Sequence, residues 1–294
     1  MLEVFFKRYG VKNGIKRACF IKNPFHYIND YEFNKILWQK KTLRKIKKYI
    51  CYKDDNPSNI IYSTVQFDNP IWVYWDGGIE TAPIIIKKCY ESLIKYHGDK
   101  VVLLTEKNLK DYIQLPSYIE EKRNNGSIPI AGYTDLMRFA LLEHYGGTWI
   151  DATIYLTDYI PEEIINCDFF AFQNSLGLLS NPVLFPAWFL HANKNSKIIR
   201  EIRNVAFAYW KNEKHVIEYL LPNLIITSLI SDEDYKKMPY MNSDYSEYLI
   251  KVLGDEYSED KMQWIKKLTC IHKLTYKLDN SIDKEDTFYK HITT

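Results

Sequence analysis

The chain has 294 residues, 46% hydrophobic and 26% charged, an ordinary globular composition with enough length for one large domain or a domain with an appendage. Its formal net charge of +2 hides an asymmetry: residues 1 to 53 carry 14 Lys/Arg against 3 Asp/Glu, leaving the remainder net negative. Five scattered cysteines without a C-x-x-C pair, and no apolar stretch suited to a signal peptide or membrane span, argue against a disulfide scaffold, a zinc site or an integral membrane protein and predict a cytoplasmic one.

In chain order, the first feature is FNKILWQKKTLRKIKKYI, an acid-free stretch with Ile36, Leu43, Ile46 and Ile50 near helical spacing. It predicts a basic amphipathic helix. Such a helix either meets an anionic membrane surface through residues 35 to 48, with Trp38 entering the interface, or packs its apolar stripe on the rest of the protein. No stretch matches a nucleic-acid-binding module and the remainder is acidic, so nucleic acid is not an expected partner. The turn residues of DDNPSN, 54 to 59, predict a linker, dividing the chain into a mainly helical basic segment over 1 to 60 and a domain over 61 to 294.

IWVYW, 71 to 75, reads as a buried strand ending at Asp76-Gly77-Gly78. Pro83 then opens the helical pattern IIIKKCYESLIKYH, and VVLLT, 101 to 105, is a second strand. This order opens an α/β domain with a parallel sheet, whose ligands bind beyond the carboxyl ends of the strands. Trp75, Asp76 and Gly77 would lie at such an end. Farther on, NSKIIREIRNVAFAYW and HVIEYLLPNLIITSLI predict helices, with Pro222 kinking or dividing the second. LTCIHKLTYK, 268 to 277, is a strand or loop carrying His272, Lys273 and Lys277, and a polar tail follows it.

Between these elements lies YTDLMRFALLEHYGGTWIDATIYL, residues 133 to 156. Thr134 is suited to cap a helix beginning at Asp135, and Gly146-Gly147 to end it. Asp135 and Arg138, three apart, share a helix face and form either a surface ion pair or a ligand contact. Strand alternation after the glycines puts Trp149, Asp151, Thr153 and Tyr155 on one side. Asp151 beside Thr153 then suits either a hydrogen bond to a loop or two oxygen ligands for a hard divalent cation.

At these residues the sequence resembles the capsular polysaccharide synthesis proteins, a branch of the sugar-transferase family with a DxD motif. The shared pattern is (S/T)-D-x-x-R, Gly-Gly and D-x-D, present as Thr134-Asp135-Leu136-Met137-Arg138, Gly146-Gly147 and Asp151-Ala152-Thr153. WVYWDGGIETAPIIIKKCYESL also looks like the family's first strand and nucleotide loop, so these motifs extend the likeness over roughly 70 to 277. The resemblance implies a GT-A type nucleotide-sugar-binding α/β fold with a mixed, mainly parallel sheet. It implies a retaining hexosyltransferase acting from a UDP-sugar on a growing, lipid-linked oligosaccharide at the cytoplasmic face of the membrane.

The same resemblance implies that Trp75 stacks on uracil beside Asp76 and Gly77, that Thr134, Asp135 and Arg138 serve the donor sugar, and that Asp151 meets the ribose and a metal. Asp135, Arg138 and Asp151 are thus the expected catalytic group. His272, Lys273 and Lys277, in a closing motif, would cover the diphosphate, and Asp151, Thr153 and His272 would hold Mn²⁺ or Mg²⁺. One position departs from the DxD pattern, although D-A-T looks usual for the capsular branch: the second acid is Thr153. Either another residue supplies the missing charge, or the diphosphate itself holds the cation. Two rival readings follow: a non-catalytic sugar-nucleotide-binding relative, and a phosphohydrolase, for which D-A-T-I-Y lacks the required D-x-D-x-T order.

Overall fold

A computed structural model describes residues 2–21, 31–50, 59–174, 182–279 and 282–294. The basic segment forms α1 (Leu2–Tyr9), α2 (Val11–Ile21) and α3 (Tyr31–Ile50). After it come β1 (Ile61–Tyr62), β2 (Ile71–Tyr74), α4 (Ile84–His97), β3 (Val101–Leu104), β4 (Ile113–Gln114), α5 (Ser117–Asn124) and α6 (Ile130–Tyr145). Then follow β5 (Gly147–Ile150), β6 (Ile154–Leu156), α7 (Glu162–Ile165), β7 (Phe169–Ala171), β8 (Phe189–Ala192), α8 (Lys197–Asn212) and α9 (Leu221–Leu229), and later β9 (Ile271–Lys273). Of the predicted linker only Asn59, at φ 96°, lies within the described residues.

Five strands build the central sheet in the order β3-β2-β5-β8-β7. The first three run parallel; β8 is antiparallel to β5, and β7 to β8. This is the mixed α/β architecture, parallel at its centre, that the sequence predicted. The β2-α4-β3 unit falls where the strand, glycine turn, helix, strand order put it. All four residues of β2 are buried, as a strand covered on both faces requires, and hence the unbroken apolar run.

Three local expectations are corrected. Thr134 does not cap a helix: α6 starts after Pro129, and Thr134 sits inside it, its hydroxyl donating to the Ala131 carbonyl at 2.8 Å. Asp135 and Arg138 therefore occupy the middle of a helix and gain nothing from its amino-terminal amides. Nor does one strand run through Asp151. The chain turns after Ile150, with the Ile154 amide donating to the Asp151 carbonyl at 2.9 Å, and β6 leaves to pair with β9. Pro222 lies in the first turn of α9 and begins the helix, because a missing amide is harmless there.

Gly146 and Gly147 do what was expected of them, at φ 74° and 94°. A Cβ on Gly147 would come within 2.1 Å of the Pro70 carbonyl oxygen, so only glycine lets α6 pass directly into β5 against the neighbouring chain.

The basic helices pack onto the sheet domain. Trp38, Ile46 and Tyr49 of α3 are buried in the main core, where α3 meets α8 and α9. Arg17 of α2 forms an ion pair with Glu218 at 3.2 Å, with the Glu218 side chain only 1% exposed. Arg8 lies over the Tyr219 ring, 5.3 Å from its centroid. Lys41, Arg44, Lys45, Lys47 and Lys48 remain on the exposed side of α3. Of the two readings of the amphipathic stripe, packing on the protein is the one observed.

Candidate active site

A cleft of about 740 Å³ opens beyond the carboxyl ends of β2 and β5. It is lined by Trp75 and Asp76 after β2, by Thr134, Asp135 and Arg138 from α6, and by Asp151 and Thr153 after β5. Lys273 and Lys277 line it from the far end of the chain, while Tyr219 and Leu220 form part of the wall braced by the amino-terminal helices.

Arg138 organises the floor. Its Nη2 lies 3.2 Å from Asp135 Oδ1 and 3.3 Å from Asp151 Oδ1, and its Nη1 donates to the Ala187 carbonyl. The guanidinium rests over the Trp149 ring, 4.9 Å from the centroid, and the Trp149 indole donates to Asp151 Oδ1 at 3.1 Å. A planar fork is needed to reach two carboxylates and a carbonyl while stacking on an indole, which a lysine would not reproduce. The Asp135 carboxyl is pushed up to about 6, first by burial and further by the nearby Asp151 charge, with Arg138 opposing both.

The second cation arrives through the β6–β9 pair. Ile154 faces Lys273 in its register, and the Leu274 amide donates to the Thr153 carbonyl at 2.8 Å. The Lys273 ammonium is thereby set 3.5 Å from Asp151 Oδ2 and in contact with the Thr153 hydroxyl. Beyond it, Tyr276 meets Trp75 edge to face at 5.4 Å, joining the loop after β9 to the loop after β2. Asp76 accepts from the Tyr74 phenol at 2.5 Å and lies 3.7 Å from Arg123.

Two predicted residues fall outside this arrangement. Gly77 is next to the cleft without lining it. His272 is fully buried on the other side of β9 from Lys273, because neighbouring strand residues point to opposite faces. Its Nε2 is 3.1 Å from the Thr157 hydroxyl, and burial, helped by Lys266, pushes its pKa down to about 4, so it is a neutral core histidine.

The residues named for a divalent cation consequently do not make a donor set. His272 is turned away. One oxygen of Asp151 faces Arg138 and the Trp149 indole, the other faces Lys273, and the Thr153 hydroxyl faces the same ammonium. Among the described residues no group of three or more His, Cys, Asp or Glu is placed to hold a metal ion. A hard cation that seeks six or more oxygens does not fit these partners.

Trp149, Tyr276, Ala187 and the Tyr219 wall were not singled out in the sequence. Trp149 had a signal, since alternation already placed it beside Asp151, and Tyr276 lies inside the closing motif. The Ala187 carbonyl had none.

The fold and cleft define an open α/β protein with a charged cleft at the carboxyl edge of its parallel strands, where ligands of such folds bind. The chain belongs to the capsular polysaccharide synthesis protein family, whose model matches residues 21–292. The match takes in α3, which the motifs alone left outside. Comparison with curated proteins gives no match. Among solved structures, the PaToxG glycosyltransferase is a distant likeness, with 15% identity, 67% of this chain and 79% of that chain covered, and a TM-score of 0.40.

Proposed function

We propose that this member of the capsular polysaccharide synthesis family is a retaining glycosyltransferase that moves a sugar from a UDP-sugar to a growing capsular saccharide. The observation that carries the reading is the convergence of Trp75, Asp135, Arg138, Asp151 and Lys273 on one cleft from four separate parts of the chain. In this reading Trp75, with Tyr276 against its edge, offers an aromatic face to the uracil. Asp135 and Arg138 meet donor-sugar hydroxyls, Asp151 meets the ribose, and Lys273 and Lys277 face the diphosphate. Thr134, within the same wall, keeps the α6 surface close to the sugar.

Transfer requires negative charge to be stabilised on the departing diphosphate while the sugar becomes oxocarbenium-like. In the retaining course the leaving phosphate takes the acceptor's proton, so no paired carboxylate is needed as a separate base. This distinguishes the site from a glycosidase, which uses two opposed carboxyl groups. Here Asp135 and Asp151 share Arg138 and serve as its counter-ions.

The acceptor in this reading is a lipid-linked saccharide, brought near by the exposed lysines of residues 35 to 48. Because Trp38 is buried, any membrane contact uses these cations at the surface, without insertion of the apolar stripe. Among the described residues no helix is long and apolar enough to cross a membrane. Flotation with anionic vesicles tests this part: unchanged solubility of the protein in their presence rules it out.

The reading as a whole is tested by offering a panel of UDP-sugars, with Mn²⁺, Mg²⁺ or EDTA, and following binding and UDP release. Slow release from at least one donor is expected. Binding of UDP without release from any UDP-sugar would instead identify a non-catalytic relative, and no binding to any of them rules out the nucleotide-sugar site.

A further inference from the structure

We infer that Lys273 occupies the place a divalent cation would take beside Asp151, so that the leaving diphosphate is neutralised by the chain's own ammonium and transfer proceeds without a metal. The inference rests on the nucleotide-sugar reading above. Its basis is the chemistry of the donor set. Where the motif's pattern has a second carboxylate, this chain has Thr153, and the Thr153 hydroxyl touches the Lys273 ammonium. An aspartate there would add a second negative charge suited to a cation. A threonine adds a neutral oxygen that an ammonium can donate to.

The placement is built into the fold. The β6–β9 ladder fixes Lys273 opposite Ile154, beside the turn that carries Asp151 and Thr153, and sends His272 to the opposite side. An ammonium has three donors. Among the described residues, Asp151 Oδ2 and Thr153 Oγ1 take two of them, which leaves the third for a ligand oxygen in the cleft that Lys273 lines. The Lys273 side chain is 22% exposed, open enough to meet a phosphate and confined enough to hold its position. Arg138, on the other oxygen of Asp151, adds a second fixed positive charge. A divalent ion on Asp151 would have to share that carboxylate with both cations at close range, against their repulsion.

The step balances without a metal. The bond from the anomeric carbon to the β-phosphate oxygen breaks, and its electron pair stays on that oxygen, facing Lys273. The acceptor oxygen bonds to the anomeric carbon, and its proton leaves on the phosphate. In the absence of acceptor, water takes the same part and the products are free sugar and UDP.

The experiment uses the full chain and has a binding arm and a turnover arm. UDP binding is measured by calorimetry, and UDP release is followed across a panel of UDP-sugars, each in EDTA and in Mn²⁺. Binding and release in EDTA are expected within about twofold of those in Mn²⁺. Lys273→Met, checked for folding by circular dichroism, is expected to lose on the order of 10²–10³ in release rate, the scale seen when one charge-stabilising donor is removed. Wild-type binding or release that EDTA abolishes and Mn²⁺ restores overturns the inference and leaves the nucleotide-sugar reading standing. Lys273→Met with undiminished release overturns it as well. No binding or release with either additive overturns both. The EDTA comparison is made on the unaltered protein and stands even where the variant does not fold.

Discussion

Two ion pairs tie distant parts of this chain together, and they have opposite character. Arg17 and Glu218 join the basic amino-terminal segment to the loop before α9, with side chains 12% and 1% exposed. Lys273 and Asp151 join β9 to the turn after β5, with side chains 22% and 30% exposed. In the first, the Glu218 carboxylate is sealed and faces Arg17, which is itself largely covered. The second opens onto the cleft, where an ammonium can exchange part of its bonding for a ligand. The lysine of this second pair lines the cleft and lies outside the basic segment.

The comparison can be broken or sharpened by substitution. The largest expected effect is at the open pair: Lys273→Met should cost the ~10²–10³ in turnover described above while moving the thermal midpoint little, because a partly exposed pair contributes only about 0–1 kcal/mol. A drop in stability matching the loss of activity would remove the distinction from the sealed pair. Next is Arg17→Ala, which leaves the Glu218 carboxylate buried without its counter-ion and should destabilise by about 3 kcal/mol in chemical denaturation. A change within experimental error would mean that Glu218 finds another partner.

Asp135 gives a smaller effect with a defined sign. Its carboxyl is raised from 3.8 to about 6, so folding favours the protonated form. That contribution is complete below about 4, the unfolded value, and is lost as pH rises through about 6. Asp135→Asn removes the titration, and its thermal midpoint relative to wild type should rise between pH 4 and pH 6.5. A difference that is flat with pH would contradict the burial argument. The smallest effect is expected on α3, where Lys41, Lys45, Lys47 and Lys48 replaced together by Gln should leave UDP release unchanged and stability within about 0.5 kcal/mol per site. Loss of vesicle flotation in that variant would assign these lysines to a membrane surface.

Much of the architecture was legible because it depends on local pattern. The apolar run of β2, the Pro83 helix start and the Gly146-Gly147 turn follow from burial on both strand faces, a fixed φ and a positive φ, all properties of short stretches. The helix at 31–50 was equally readable, although its pattern could not say what the apolar stripe faced. Errors came where a neighbour overrode the local signal. Thr134 looked like a cap because the helix pattern strengthens after it, yet Pro129 sets the earlier start. A single strand through Asp151 seemed natural by alternation, but β9 draws residues 154 to 156 into a separate ladder.

The sequence by itself determined the α/β class, through its strand and helix patterns, and it carries the motifs whose resemblance to a family grouped Trp75, Asp135, Arg138 and Asp151 as one expected site. Only the tertiary structure decided which way His272 and Lys273, both expected at the site, would point, and whether α3 packs or stays free. The reason is that both questions turn on contacts more than one hundred residues apart in the chain. A one-residue shift in the β6–β9 register would have sent the imidazole toward Asp151 and the ammonium into the core. Burial of a charged amine there would be costly, and pairing it with Asp151 and Thr153 at the cleft avoids that cost.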